Sequence, residues 1–389
     1  MDKVRMGIIG VGNMGTGHAM NIKNGLCPEI ELTAVADIDP VRLDWTKENL
    51  PGVATFATAE EMMDSGLVDA VEVAIPHYFH PQYAMAAMRR GIHVMVEKPA
   101  GVYTKQVREM NACADECNVT FGMMFNQRTD HVYRKMKEIM QSGELGAIKR
   151  VNWIITDWYR TQSYYDSGAW RATWSGEGGG VLLNQCPHQL DLFQWICGMP
   201  CKVDAHLHFG HWHDIEVEDD VTAYMEFANG ATGCFITSTG DAPGSNRFEI
   251  DCEKGKLVSE NGKLTLWKLD VNEREWCFTA PMGFMPPNCE VSEVETDGLS
   301  EQHAGVMNAF AGHILHGTPL VADGHEGING LTLSNAMHLS AFLGKPVEIP
   351  FDEDLYYNEL MKRVATSRRK ADVQSTVADL SGTYGGSGK

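Results

Sequence analysis

Val4-Arg5-Met6-Gly7-Ile8-Ile9-Gly10-Val11-Gly12-Asn13-Met14-Gly15 stands near the head of the 389-residue sequence. Val4–Ile9 is a short apolar run with strand character, and the residues from Asn13 to about Asn24 have helical character. The GxGxxG pattern therefore falls between a strand and the helix it opens, the context in which that pattern carries meaning. Gly10 permits the tight turn, Gly12 leaves room for a pyrophosphate, and Gly15 lets the helix lie close to the strand. The helix N-terminus offers unpaired N–H groups and positive potential to the phosphates. The backbone of Val11, Asn13 and Met14 completes this cradle. Asp37 ends the next strand, 22 positions after Gly15. A carboxylate there accepts the ribose hydroxyls of a dinucleotide and repels a 2′-phosphate, so NAD is expected rather than NADP.

Outward from this motif, strand and helix alternate. Strands are expected at Glu31–Ala36, Val53–Phe56, Ala70–Ile75, His93–Val96 and Val119–Phe125, with helices such as Pro81–Arg90 and Thr104–Glu116 between them. Apolar strands alternating with helices imply a parallel sheet covered on both faces. After about Asn126 the rhythm changes. One helix is expected over Arg128–Ser142, ended by Gly143. Strands at Ile148–Asp157, Val203–Phe209, Val221–Phe227, Thr232–Thr237, Arg247–Asp251, Lys256–Ser259 and Leu264–Trp267 then follow with turn signals such as Asn229-Gly230 and Asn261-Gly262. That pattern reads as a mostly antiparallel sheet. Helices at Val181–Ile196, Gln302–His316 and Gly330–Phe342 are expected to cover one face, and a last helix is expected over Leu355–Arg369. The expected division is 1–126, 127–350, a returning segment 351–380, and a disordered tail 381–389.

Composition narrows the function classes. There are 52 acidic and 32 basic residues, a formal net charge of −20. Such a surface repels nucleic acid and anionic membranes, so neither is expected as a partner. No apolar run reaches the roughly 18 residues of a spanning helix, and no signal-peptide pattern precedes the first strand, so the cytoplasm is the expected location. The ten cysteines form no CxxC pair, and free thiols are expected. His206, His208, His211 and His213 lie close together, but no accompanying ligand pattern supports a metal, and none is expected.

Two further segments bear chemistry. Glu97-Lys98-Pro99 closes the fifth strand, at the sheet edge where ligands bind in open parallel sheets. Gly178-Gly179-Gly180 precedes a segment carrying Asn184, His188 and Asp191. Together with Gly10–Gly15, these resemble the Gfo/Idh/MocA oxidoreductases (glucose-fructose oxidoreductase, inositol dehydrogenase and relatives) over about residues 4–350. Ile75-Pro76 with His80, Arg128, Gly143–Gly146 and Asp219-Asp220 add to the resemblance. The resemblance implies a Rossmann α/β domain followed by an α+β domain with a large, mostly antiparallel open sheet. It also implies a homodimer or homotetramer paired through the outer face of that sheet. It places Ile75, Pro76, His77, His80, Glu97, Lys98 and Asn126 at the cofactor, and gives Lys98 and His188 the handling of a substrate oxygen and its proton.

The chemistry of those two residues agrees. Oxidising a secondary alcohol removes a hydride from carbon and a proton from oxygen; a neutral imidazole accepts that proton near pH 7, and an ammonium stabilises the charge that develops on oxygen. Read as one helix, the segment from Val181 puts Asn184, His188 and Asp191 on one face, with the glycines leaving room for ligand. Asn184 and Asp191 are then substrate-binding candidates. Many relatives carry Asp where this chain has Asn184, which leaves His188 as sole acid/base. Tyr159, Arg160, Tyr165, Trp170 and Arg171 offer stacking faces and forked donors for a substrate wall, and His213 or Asp214 is a further candidate. The leading expectation is NAD-dependent hydride transfer at a ring hydroxyl or ketone of a sugar, glycoside or cyclitol. The alternatives are a glycosidase that uses NAD transiently for oxidation and elimination, and a non-catalytic NAD-binding protein.

Overall fold

The computed structural model describes residues 2–368 and Lys370. The expected tail and the end of the returning segment lie outside the described residues.

The first sheet is built from β1 (Val4–Ile9), β2 (Ile30–Ala36), β3 (Ala54–Phe56), β4 (Ala70–Val73), β5 (His93–Val96) and β6 (Phe121–Met123). Its order is β3-β2-β1-β4-β5-β6, parallel throughout. α1 (Asn13–Lys23), α2 (Pro40–Asn49), α3 (Ala59–Asp64), α4 (His80–Met88) and α5 (Thr104–Glu116) connect the strands. The strand order reverses between β1 and β4, which opens the crevice for a ligand at their C-terminal ends. Every residue of β4 is buried, as expected of a central parallel strand; the anomaly is Glu72 within it, fully buried and in register with Ile8 of β1 and Met95 of β5.

The second sheet has nine strands. β7 (Ile148–Ile155), β8 (Lys202–Phe209), β9 (Glu218–Glu226), β10 (Thr232–Ser238), β11 (Asn246–Cys252), β12 (Gly255–Glu260), β13 (Lys263–Leu269), β14 (Cys289–Val294) and β15 (Val347–Glu348) lie in the order β14-β13-β12-β11-β7-β10-β9-β8-β15. All pairs are antiparallel except β7 with β10. Burial alternates along β9 and β11, so one face is apolar and needs a cover. On that face the Trp153 ring stacks on Phe248 at 4.0 Å. The cover comes from α6 (His131–Ser142) and, beyond the short α7 (Gln162–Asp166), from α8 (Pro187–Cys197). Further along lie α9 (Glu273–Thr279), α10 (Gln302–His316), α11 (Gly327–Leu343) and α12 (Glu353–Val364).

Several expectations shift in detail. The helix expected from Val181 begins at Pro187. The Glu218 carboxylate accepts the N–H groups of Gly180 and Leu182 at 2.8 and 3.0 Å, which holds residues 180–186 in a turn. Proline at the first helical position then starts the helix without wasting a donor. The helix expected from Arg128 starts at His131, where the Asp130 side chain accepts Val132 N–H. α9 and β14 were not expected; both are mostly exposed and lack an apolar period. The last helix ends at Val364 rather than Arg369 and returns to the first domain, with Arg108 paired to Glu353 and Lys105 to Asp354.

One polar clamp joins the domains, and a second ties the chain leaving the first domain to α8. Asn335 of α11 accepts Thr104 N–H and donates to the Val102 carbonyl, both at 3.0 Å. Arg128 grips Asp191 through two bonds of 2.7 Å and meets Glu326 at 2.8 Å. Arg128 and Asp191 are both about 1% exposed at the side chain, so removing Arg128 takes the paired cation from a buried carboxylate, and removing Asp191 leaves the buried Arg128 with Glu326 as its one remaining carboxylate of the network. Asp191→Ala is expected to lower unfolding free energy by about 3–5 kcal/mol, read by urea denaturation. A loss near zero would contradict the clamp.

Candidate active site

The glycine turn does what its sterics require. Gly10 sits at φ +91°, and a Cβ there would lie 2.6 Å from the Ala74 carbonyl. A Cβ on Gly15 would lie 1.9 Å from the Gly10 carbonyl, while a Cβ on Gly12 would meet no protein atom within 4 Å. The open approach is therefore at Gly12, in front of the α1 N-terminus. Asp37 stands beside it: its carboxylate accepts Val11 N–H at 2.8 Å and Asp39 N–H at 2.9 Å. These residues fit a dinucleotide.

Lys98 follows β5, ahead of a cis bond to Pro99. Its Nζ donates to the Asn184 carbonyl at 3.0 Å. Burial holds its pKa below the usual lysine value, against the pull of Glu97 and Glu177. His188 lies four residues beyond Asn184, in the first turn of α8, and is buried. Burial, with the nearby Lys98 charge, holds its pKa well below 6.5, so the ring is neutral; its Nδ1 has no hydrogen-bond partner among the described residues. An ammonium and a neutral imidazole thus share one site at the C-terminal edge of the sheet. His77 joins them, edge-on to Trp170 at 5.7 Å and held neutral by burial, His80 and Lys98.

Behind Lys98 lies a cluster of buried charges. Glu97 Oε1 meets His18 Nε2 at 2.7 Å, and Glu72 Oε1 meets the same nitrogen at 3.1 Å. Glu97 Oε2 also accepts Lys98 N–H at 3.0 Å. Burial opposes the charge on His18, but Glu72 and Glu97 outweigh it and bring its pKa to about 9. Burial pushes Glu72 up to about 7; Glu97, despite burial, is drawn down to about 2 by His18. The His303 ring, edge-on to His18 at 5.2 Å, is kept neutral by burial and the His18 charge, with a pKa of about 4. Glu97, expected at the cofactor, is paired with His18, a cation that no sequence motif singles out.

Several expected contacts are spent inside the protein. His80 has one ring nitrogen on the Pro99 carbonyl at 2.7 Å and the other on the Ile75 carbonyl at 2.6 Å. It ties the end of β4 to the Lys98 turn rather than facing a ligand. Asn126 is fully buried and donates to Gln302. Asp191 is consumed by Arg128, and Asn184 lies in the turn before α8, so the three residues do not share a helix face. Tyr165 is buried and donates to Thr239 at 2.8 Å, which removes it from the substrate wall. The glycines 178–180 admit protein, not ligand: a Cβ on Gly178 would strike Val102 at 2.3 Å, and one on Gly180 the Glu218 carbonyl at 2.0 Å.

Aromatic and arginine side chains of residues 158–171 stack on one another into one wall. The Arg160 guanidinium lies over Trp158 and Tyr164, and that of Arg171 over Tyr164 and Trp170. Arg171 also donates to the Tyr164 hydroxyl, as does Gln185. Tyr159 is half exposed beside them. His213 holds the Arg160 carbonyl and the Asp219 carboxylate, both at 2.9 Å, and so shapes this wall from behind. The exposed His208 ring instead meets Asp220 at 3.3 Å. Among the described residues the ten cysteines are free, and no helix is long and apolar enough to cross a membrane.

Comparison with known proteins identifies the family. Residues 4–125 match the oxidoreductase family with an NAD-binding Rossmann fold, and residues 133–258 match the Gfo/Idh/MocA C-terminal domain. The chain belongs to the Gfo/Idh/MocA oxidoreductases. A 1-carboxy-3-chloro-3,4-dihydroxycyclohexa-1,5-diene dehydrogenase of Comamonas testosteroni is 26% identical, covering 85% of this chain and 77% of that protein. The myo-inositol 2-dehydrogenase of Thermotoga maritima is 26% identical, covering 67% and 77%. The WlbA dehydrogenase of Chromobacterium violaceum, solved with NADH and UDP-GlcNAcA, is 27% identical with a TM-score of 0.76, covering 90% and 97%. This Gfo/Idh/MocA chain is an enzyme, a nicotinamide-dependent dehydrogenase or reductase acting on CH–OH groups, so the non-catalytic expectation is set aside.

The charge on His18 has a pH signature. Its folded pKa of about 9 exceeds the unfolded 6.5, so its contribution to stability is complete below 6.5 and is lost as pH rises through 9. His18→Gln is expected to be less stable than wild type at pH 6, with the gap closing above pH 9 in denaturant titrations. A gap independent of pH would show His18 to be uncharged.

Proposed function

We propose that this enzyme transfers a hydride between NAD and a ring carbon of a sugar, glycoside or cyclitol, interconverting a secondary alcohol and its ketone. The observation that carries the reading is the Lys98 ammonium held on the Asn184 carbonyl, four residues before the neutral His188. Bound NAD supplies the hydride acceptor. Lys98 donates to the reacting oxygen and stabilises the negative charge that grows on it. His188 takes the hydroxyl proton in oxidation and returns it in reduction. Burial keeps His188 neutral, while Glu97 and Glu177 support the Lys98 ammonium against burial. The wall of Tyr159, Arg160, Trp170 and Arg171 binds the ring and its substituents by stacking and forked donors. Relatives named for inositol and for a dihydroxylated cyclohexadiene support a ring-alcohol substrate. Asp37 favours NAD over NADP. The outer face of the nine-stranded sheet, with Ile154 and Tyr224 exposed, supports isologous pairing of subunits.

The purified protein, mixed with NAD and a panel of glycosides and cyclitols, is expected to form NADH, with NADP a poorer acceptor. Lys98→Met is expected to lower kcat by about 10²–10³-fold, and His188→Ala by about 10²–10⁴-fold. Either variant running at the wild-type rate would overturn its role. Aglycone release without net NADH would instead mark the transient-oxidation glycosidase. Sedimentation is expected to find a dimer or tetramer, and a monomer at micromolar concentration would refute pairing through the sheet.

A further inference from the structure

Glu177 is buried at the heart of this site, about 1% exposed, in the loop before the glycines. Its Oε2 accepts Ala172 N–H at 2.6 Å, and its Oε1 accepts the Asn184 side-chain amide Nδ2. Asn184 in turn accepts Lys98 Nζ on its backbone carbonyl. The charges facing Glu177 are Arg171, Lys98 and the Glu218 carboxylate; the His77 ring approaches its backbone, and Tyr165 lies within electrostatic reach. Burial pushes its pKa up to about 7, with Arg171 pulling back.

We propose that Glu177 is a positioning residue that decides which end of the Asn184 amide meets the substrate. The inference rests on the dehydrogenase reading of this site. An ionised carboxylate only accepts hydrogen bonds. Glu177 therefore requires the NH₂ of Asn184, and the amide must turn its Oδ1 away from Glu177 towards the open site. An acceptor there takes the O–H of a neighbouring hydroxyl on the bound ring and so orients the reacting hydroxyl, whose own proton goes to His188, towards Lys98. The same contact explains the amide at 184. A carboxylate in its place would stand against Glu177, and two buried carboxylates in contact cannot both ionise.

The backbone fixes the outcome of a swap. In Glu177→Gln, Ala172 N–H still needs an acceptor, so the new amide points its oxygen there and its NH₂ at Asn184. Asn184 must then flip and present NH₂ to the substrate hydroxyl. Well above neutrality, where Glu177 is ionised, Glu177→Gln is expected to lower kcat for alcohol oxidation by at least about tenfold, with KM less affected. Asn184→Asp alone is expected to fall similarly. In the double variant the carboxylate introduced at position 184 accepts from the amide introduced at position 177 and keeps its second oxygen for the substrate, so kcat recovers well above the product of the two losses. Unchanged kcat in Glu177→Gln, or a double variant as poor as that product, would overturn the proposal; NADH binding and melting temperature confirm that each variant is folded.

A signal independent of turnover separates this proposal from the functional reading. In protein labelled with ¹⁵N-asparagine, the side-chain NH₂ pair that vanishes in Asn184→Asp is expected to shift in Glu177→Gln. If that pair does not move, the Glu177 contact is refuted whatever the activity. A wild type silent on every substrate, with the pair shifting as expected, refutes the dehydrogenase reading and supports the contact.

Discussion

The short contact between His18 and Glu97 is the constraint on which the site depends. Ionised groups taken from water cost several kcal/mol each unless paired and hydrogen-bonded. Glu97 is buried at the end of β5, where the chain must turn to present Lys98. It survives there as a carboxylate because the His18 imidazolium meets it from α1, and it steadies the turn by accepting the Lys98 N–H. The helix that holds the glycine turn is thereby tied to the strand end that holds the lysine. The glycine turn and the Lys98 ammonium are thus fixed relative to each other by one ion pair, with Glu72 beneath it sharing the proton load.

A second set of polar contacts brings the other half of the site down onto this edge. The Arg128–Asp191–Glu326 network anchors α8. Asn335 locks α11 to the backbone around Val102 and Thr104, and Glu218 holds the turn that leads into α8. Each of these side chains is satisfied by a partner from a different element, so the domains meet in one register. The result at the centre is small: one carbonyl of a turn residue receives the lysine, and one imidazole stands four residues further on, in the first turn of α8. The neutrality of that imidazole is a product of closure, because both burial and the approach of Lys98 disfavour its charge.

Much of this is legible without coordinates wherever the physics is local. Glycine sterics act on neighbouring atoms, so the roles of Gly10 and Gly15 follow from the motif and hold at φ +91° and at a 1.9 Å approach. Strand periodicity is likewise local, and it yields the alternation of the first sheet and the hairpins of the second. The failures share a cause. A helix from Val181 suits the composition, but a carboxylate 38 residues away captures the N–H of Gly180. The glycines before it suggest room for ligand, and the room is filled by Val102 and the β9 backbone. Asp191 and Tyr165 have the chemistry of ligand contacts, yet each is spent on a partner distant in sequence.

The amino-acid order alone determined a glycine turn between a strand and a helix, an acid at the end of the next strand, two sheets of different connectivity, and a lysine and a histidine at the ends of their elements, because each is a property of a short stretch and its period. Folding decided which charged groups pair, which carboxyls hold protons near neutrality, and which side chains are left free to meet a substrate. Those outcomes depend on desolvation and on partners 79 residues apart for His18 and Glu97, or 86 for Lys98 and Asn184. No local pattern encodes such distances; they exist only once both domains have closed around the same edge.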